Sequence, residues 1–226
     1  MKTIHYQNRN YTILGDLKAS TFLMYLVDES NPEDYEQIYQ KTSSEYQLCM
    51  ISVSIHDWQG ELSPWPAPAI FGKHDFAGNA AKFLAELEGF WKWFKDEHNI
   101  ESNQVYLCGY SLAGLFTLWA STHTNTFQKI AAVSPSVWFL NFVQYMQQNQ
   151  VHASEVYMSL GDKEANAKNK VMATVKACFD AVIQILQKQD IPLTYEYNPG
   201  NHFQDVKLRM TKGIQQLLLG RIEEKS

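Results

Sequence analysis

Cysteine is scarce in this sequence: Cys49, Cys108 and Cys178 are the only three. An odd count at wide spacing argues against a disulfide framework. Cys49 and Cys108 lie inside apolar runs that read as buried strands, so reduced core thiols are expected. Metal-ligand spacing is missing too, since none of the seven histidines forms His-x-x-x-His and no Cys-x-x-Cys occurs. No metal and no other cofactor is expected. There is no basic block, and 19 Lys and Arg against 24 Asp and Glu leave a formal net charge of −5. The electrostatic footprint for a phosphate backbone is therefore absent, which disfavours nucleic acid as a partner. No window approaches the roughly 18 apolar residues of a membrane span, and "MKTIHYQNRNYT" at the N-terminus lacks the apolar core of a signal peptide. A cytoplasmic protein without a membrane partner is expected. Internal repeats, low-complexity tracts and linkers are also lacking.

What the chain does have is enough apolar material for a sizeable core. It has 226 residues, 45% of them hydrophobic, which suits one α/β domain over residues 1–226. Either a monomer or a homodimer suits the composition. Aromatics reach 13%, more ring surface than a core strictly needs, so some rings are candidates for lining a pocket.

Periodicity predicts strands near Tyr11–Leu14 and Thr21–Asp28, read as an antiparallel lead-in. Asn31-Pro32-Glu33-Asp34 combines a cap, an N1 proline and first-turn acids, opening a short helix to about Ser44. "YQLCMISVSI" is a nearly continuous apolar strand, of the kind buried on both faces. From Phe76, apolar positions at helical spacing predict a long amphipathic helix to His98-Asn99. There follow a strand at Gln104–Cys108, a buried helix at Leu112–Ser121, a strand at Ile130–Ser134 and a helix around Trp138–Gln148. The remainder reads as a strand at Glu155–Leu160, a long helix at Ala165–Gln189, a strand at Leu193–Tyr197 and a last helix from Asp205 to Leu219. Alternating strands and helices predict right-handed crossovers and a mostly parallel central sheet with helices on both faces. Ligands in such sheets bind at loops leaving the carboxyl ends of the strands.

One of those loops carries "VYLCGYSLAGL". Gly109-Tyr110-Ser111-Leu112-Ala113 stands where a predicted strand meets a predicted helix, the setting of a nucleophile elbow. The pattern is Gly-x-Ser-x-Ala rather than Gly-x-Ser-x-Gly, but alanine is small enough for strand and helix to approach. A serine hydroxyl needs a base to take its proton during attack. His202, in "YEYNPGNHFQD" after the last predicted strand, suits the chain order nucleophile, acid, base. His56 ends another strand and is the competing histidine, read mainly as a pocket or structural residue. His98 and His123 fall near helix ends, and His5 and His152 in polar connections.

"YMSLGDKEANAKNK" offers two acids at a strand end. Glu164 is the first choice for the triad carboxylate and Asp162 the alternate, because both also suit a helix N-terminus. An oxyanion is expected to be held by the backbone N–H of Leu112 and by a second N–H from the loop after an earlier strand, at Asp57 or Trp58. The loop "HDWQGELSPWPAPAIFGKHD" is long and stiffened by proline. Trp58, Trp65 and Phe71 in it are candidates for one wall of an acyl pocket, with Trp138 of "SPSVWF" opposite and Tyr110 of the elbow nearby. Lys163, Lys168 and Lys170 read as a solvated helix face, with attraction of an anionic substrate as the alternative.

These motifs resemble an esterase family of the α/β-hydrolases, the one that includes enterochelin (siderophore) esterase-like proteins, S-formylglutathione hydrolases and feruloyl esterases. The resemblance runs from Ile51 through "GYSLAGLFTLWA", "SPSVWF" and "LGDKE" to "PGNHF". It implies the α/β-hydrolase fold, a triad of Ser111, Glu164 and His202, and Leu112 as an oxyanion donor. Ala113 in place of a frequent glycine is one departure. The lack of a sizeable extra domain is another, and it favours a small or broad-range ester over a large trilactone. The expected activity is cofactor-independent hydrolysis of carboxylic esters through an acyl-enzyme. Transfer of the acyl group to another acceptor (acyltransferase or thioesterase) and a non-catalytic binding protein are the alternatives.

Overall fold

The computed structural model describes residues 1–28, 32–102 and 104–219. Eight strands form one sheet in the order β1-β2-β4-β3-β7-β8-β9-β10. They are β1 (Lys2–Tyr6), β2 (Arg9–Leu14), β3 (Thr21–Val27), β4 (Leu48–Ser54), β7 (Val105–Tyr110), β8 (Phe127–Val133), β9 (Glu155–Gly161) and β10 (Leu193–Asn198). β4, β3, β7, β8, β9 and β10 pair in parallel in that order, while β1 and β2 form an antiparallel edge, β2 pairing with β4 in antiparallel sense. β5 (Pro66–Ala67) and β6 (Phe76–Ala77) make a separate short ribbon.

Thr21–Val27 is not part of the antiparallel lead-in that its position in the chain suggested. β3 lies between β4 and β7, parallel to both, and all seven of its residues are buried. A strand buried on both faces belongs in the middle of a parallel sheet. The antiparallel partner of β2 at the edge is instead β1, whose residues are mostly exposed.

Period-two alternation sends β3 into two cores. Phe22, Met24 and Leu26 join the larger cluster, and Leu23, Tyr25 and Val27 the smaller. The smaller core lies under α1 (Pro32–Ser43) and α7 (Val206–Leu218). The larger lies under α3 (Ala80–His98), α4 (Leu112–Ala120), α5 (Phe142–Gln148) and α6 (Val175–Lys188). In α3 the buried residues Phe83, Leu84, Leu87, Phe90, Trp91 and Phe94 keep helical spacing. Full burial of each such side chain contributes about 1.5–3 kcal/mol. The helix stops at Asn99, left-handed at φ 52°. It starts at Ala80 rather than Phe76, which pairs in β6. The Asn31 cap lies outside the described residues.

A greater departure occurs after β9. Residues 165–174, expected as the start of a long helix, instead fall in and between two 3-10 turns at Glu164–Asn166 and Met172–Thr174, and α6 begins only at Val175. Trp138 likewise precedes its helix, in the turn after β8.

The long loop after β4 is fastened from beneath. Asp57 caps the short α2 (Trp58–Glu61), its Oδ1 accepting the Gly60 N–H at 2.9 Å. Buried Arg9 pairs with Glu61 and Glu86, each at 2.8 Å, and also donates to the Ser54 carbonyl. The Arg9–Glu61 pair ties the loop to the rim of the sheet.

Candidate active site

Ser111 follows β7 with φ 60° and ψ −121°, a conformation that costs a non-glycine residue about 1–3 kcal/mol. It is held by the Ser111 N–H on the Val133 carbonyl and by the Ser136 N–H on the Ser111 carbonyl. The sharp bend requires Gly109, because a Cβ there would lie 2.4 Å from the Ala113 carbonyl carbon and oxygen. The fit depends on the backbone of Ala113 more than on its methyl, so alanine there is compatible with the bend.

The Ser111 hydroxyl lies 3.0 Å from His202 Nε2, and His202 Nδ1 lies 2.8 Å from Glu164 Oε2. An ionised carboxylate only accepts hydrogen bonds, so Nδ1 carries the proton and Nε2 is left free to accept from the serine. Glu164 is buried, and Oε1 accepts from the Ser134 hydroxyl at 2.7 Å, the Gly161 N–H at 2.7 Å and Arg209 Nη1 at 3.1 Å. Burial by itself would raise the Glu164 carboxyl. The hydrogen bond and charge of His202, with the Gly161 and Ser134 donors, outweigh that and hold it below the ordinary carboxylate value.

Asp162 faces elsewhere. Its Oδ1 accepts the Gly200 N–H at 2.8 Å, bracing the histidine loop. The Lys163 N–H on the Gly200 carbonyl and the Tyr110 hydroxyl on the His202 carbonyl, at 2.6 Å, brace it further. Tyr110 therefore touches the histidine loop rather than the cleft.

A cleft of about 840 Å³ opens over Ser111, walled by Trp58, Phe71, Trp138, Met172 and Phe203, with the exposed Lys163 and Lys168 beside it. Trp65 does not reach it. Its ring packs with Phe139, Phe142 and Tyr145, and its Nε1 donates to the Leu140 carbonyl. His56 is exposed and lines no part of the cleft; its N–H is bound to Glu61.

Leu112 opens α4, where the first backbone N–H groups have no intrahelical acceptor. Asp57 and Trp58 leave β4, which β3 separates from β7. Asp28, which follows β3, stands one strand nearer to Ser111; residues 29–31 lie outside the described residues. Trp58 contributes its ring to the cleft wall, and the Asp57 carboxylate is the α2 cap.

Ser134, Ser136 and Arg209 were missed in the sequence. Ser134 has φ 45°, and Ser136 Oγ lies 3.4 Å from Ser111 Oγ. "SPS" beside the strand end was the available signal for the serines; Arg209, inside a helix, gave none. Among the described residues, no three His, Cys, Asp or Glu side chains are grouped to hold a metal ion. None of the described helices is long and apolar enough to cross a membrane.

A family model described as the prolyl oligopeptidase family matches residues 80–200. No curated protein matches the chain. Among solved structures, an IroE-like serine hydrolase from Shewanella oneidensis superimposes with TM-score 0.75 at 16% identity, over 93% of this chain and 75% of that one. The siderophore hydrolase EstA from Aspergillus nidulans gives TM-score 0.74 at 16% identity, over 96% and 92%. The enterobactin esterase FES from Shigella flexneri gives 0.72 at 14% identity, over 96% of this chain but 58% of that one. At such identities the likeness is one of fold, the α/β-hydrolase fold.

Proposed function

The chain belongs to the prolyl oligopeptidase family, and from that premise and the geometry at Ser111 we propose that it is a serine hydrolase cleaving carboxylic esters through an acyl-enzyme. The observation that carries the reading is the Ser111–His202–Glu164 chain, 3.0 Å and 2.8 Å between successive partners, on a strained serine at the floor of an open cleft.

In this reading His202 Nε2 takes the Ser111 proton as Oγ attacks the ester carbonyl, and Glu164 stabilises the resulting imidazolium. The Leu112 N–H and a second backbone donor hold the oxyanion. The imidazolium then gives its proton to the departing alkoxide, leaving the acyl group on Oγ. Water, deprotonated by the same nitrogen, attacks the acyl-enzyme and frees the acid and the serine. The steps so written balance without a cofactor. The cleft of about 840 Å³, apolar on most of its wall, lies within the range of small-molecule sites and suits a small or broad-range ester.

A fluorophosphonate probe tests this, together with turnover of short aryl esters at neutral pH. The expected result is stoichiometric labelling at Ser111, with labelling and turnover both lost in Ser111→Ala. Full esterase turnover by a folded Ser111→Ala variant would sink the mechanism. Absence of labelling in the unmodified protein would favour a binding role instead.

A further inference from the structure

Nothing in those steps calls for a cation beside Glu164, yet one is built in. Arg209, on the first turn of α7, is 1% exposed. Its Nη1 donates to Glu164 Oε1 at 3.1 Å, to the Ser134 hydroxyl at 3.3 Å and to the Tyr110 hydroxyl at 3.4 Å, and its Nη2 donates to the Pro199 carbonyl at 2.9 Å. Burying a guanidinium costs several kcal/mol that an ion pair only partly offsets, so filling space is a poor account of it. The chain also clears room for the group: a Cβ on Gly161 would lie 2.9 Å from both Nη atoms.

One planar fork thus reaches the turns after β8 and β9, the histidine loop through Pro199, and Tyr110 of β7, which itself holds the His202 carbonyl. The Glu164 carboxylate is divided between two partners. Oε1 faces Arg209, Ser134 and Gly161, and Oε2 faces His202.

We propose that Arg209 is a positioning residue for the hydrolytic reaction: it anchors Glu164 through Oε1 so that Oε2 alone meets His202, and its charge moderates the negative field that the imidazolium feels. The proposal rests on the triad reading above. A carboxylate with no such anchor can turn away from the imidazole. One with no counter-charge holds the imidazolium more strongly, and a protonated histidine cannot accept the serine proton. The other groups facing His202 are Tyr110 from β7, whose hydroxyl burial raises, the Ser111 hydroxyl and the Phe203 ring. Lys163 and Lys168 line the same cleft, and Asp162 is turned to the Gly200 N–H. Among the ion pairs of Glu164, Arg209 is the partner opposite the histidine.

The test is the rate of fluorophosphonate labelling at Ser111 as a function of pH, in the unmodified protein, Arg209→Met and Arg209→Lys. In Arg209→Met, labelling at neutral pH should fall roughly ten- to a hundredfold. The midpoint of the acid limb should rise by roughly half a pH unit or more. Arg209→Lys keeps the charge without the fork, so it should leave the midpoint in place and recover part of the rate. A midpoint unmoved in a folded Arg209→Met, or Arg209→Lys no faster than Arg209→Met, overturns the proposal. Should Arg209→Met fail to fold, Arg209→Lys decides: an unmoved midpoint with a reduced rate supports the role, and a shifted midpoint or a full rate overturns it. Unmodified protein that is not labelled at Ser111, or His202→Ala labelled as fast as the unmodified protein, removes the triad reading itself, an outcome separate from failure of the Arg209 role alone.

Discussion

The two acids of "LGDKE" are two positions apart and chemically alike, and they end in different environments. Glu164 reaches His202 at 2.8 Å, while Asp162 accepts the Gly200 N–H at 2.8 Å. If Glu164 orients the imidazole, Glu164→Gln should present the wrong partner to Nδ1 and lower kcat on the order of a thousandfold or more. Asp162→Asn keeps an acceptor for Gly200 but loses its charge, so it should cost about 1 kcal/mol of stability. Its kcat should stay within roughly a factor of ten. Steady-state kinetics and urea unfolding on both variants check this; equal loss of kcat in the two would remove the distinction, and a greater loss in Asp162→Asn would reverse the assignment. The place of Ser111 at a strand-to-helix bend was legible, since Gly109 and Ala113 stand two residues to either side of it. The choice of acid was not, because both carboxylates suit the start of a helix and only the path of the turn aims one of them.

At the scale of elements, the elbow joins β7 to α4 so closely that the strand tolerates no side chain at Gly109. Gly109→Ala should therefore cost about 2–3 kcal/mol through overpacking against the Ala113 backbone. Ala113→Gly should cost only about 1 kcal/mol of helix propensity and leave the bend intact. Thermal unfolding of the two distinguishes them; a Gly109→Ala variant as stable as the unmodified protein would contradict the close approach. The turn after β9 shows where reading by element fails. "EANAKNKVMA" is rich in good helix formers, yet it forms two 3-10 turns. Glu164 is buried there, its Oε1 taken by the Ser134 hydroxyl and the Gly161 N–H, contacts no local propensity reports.

At the scale of the molecule, the site joins elements far apart in the chain, and its electrostatics bear on the stability of the whole. Glu164 is held below its ordinary value of 4.5 in the folded chain. Its contribution to stability is therefore complete above pH 4.5 and is lost as pH falls below 4.5 towards the folded value. Urea midpoints measured downward from neutral pH should drop more steeply below that point in the unmodified protein than in Glu164→Gln, which has no carboxyl to protonate there. Parallel curves would mean that Glu164 does not carry this dependence. The two tryptophans of the long loop also divide at this scale: Trp58 lines the cleft and Trp65 is spent on packing against Phe139, Phe142 and Tyr145.

By itself the sequence determined what depends on neighbours along the chain. That covers the alternation of buried strands with amphipathic helices, the small residues at the elbow, and the ordering of serine, acid and histidine on successive strand ends. Tertiary structure decided what depends on neighbours across it. The sheet order sets β3 between β4 and β7, and α7 delivers a buried arginine to the far side of Glu164. Local periodicity records which face of an element is apolar. It holds no record of which distant backbone will stand opposite, and in this protein that backbone separates one acid from the other and turns a helix arginine inward.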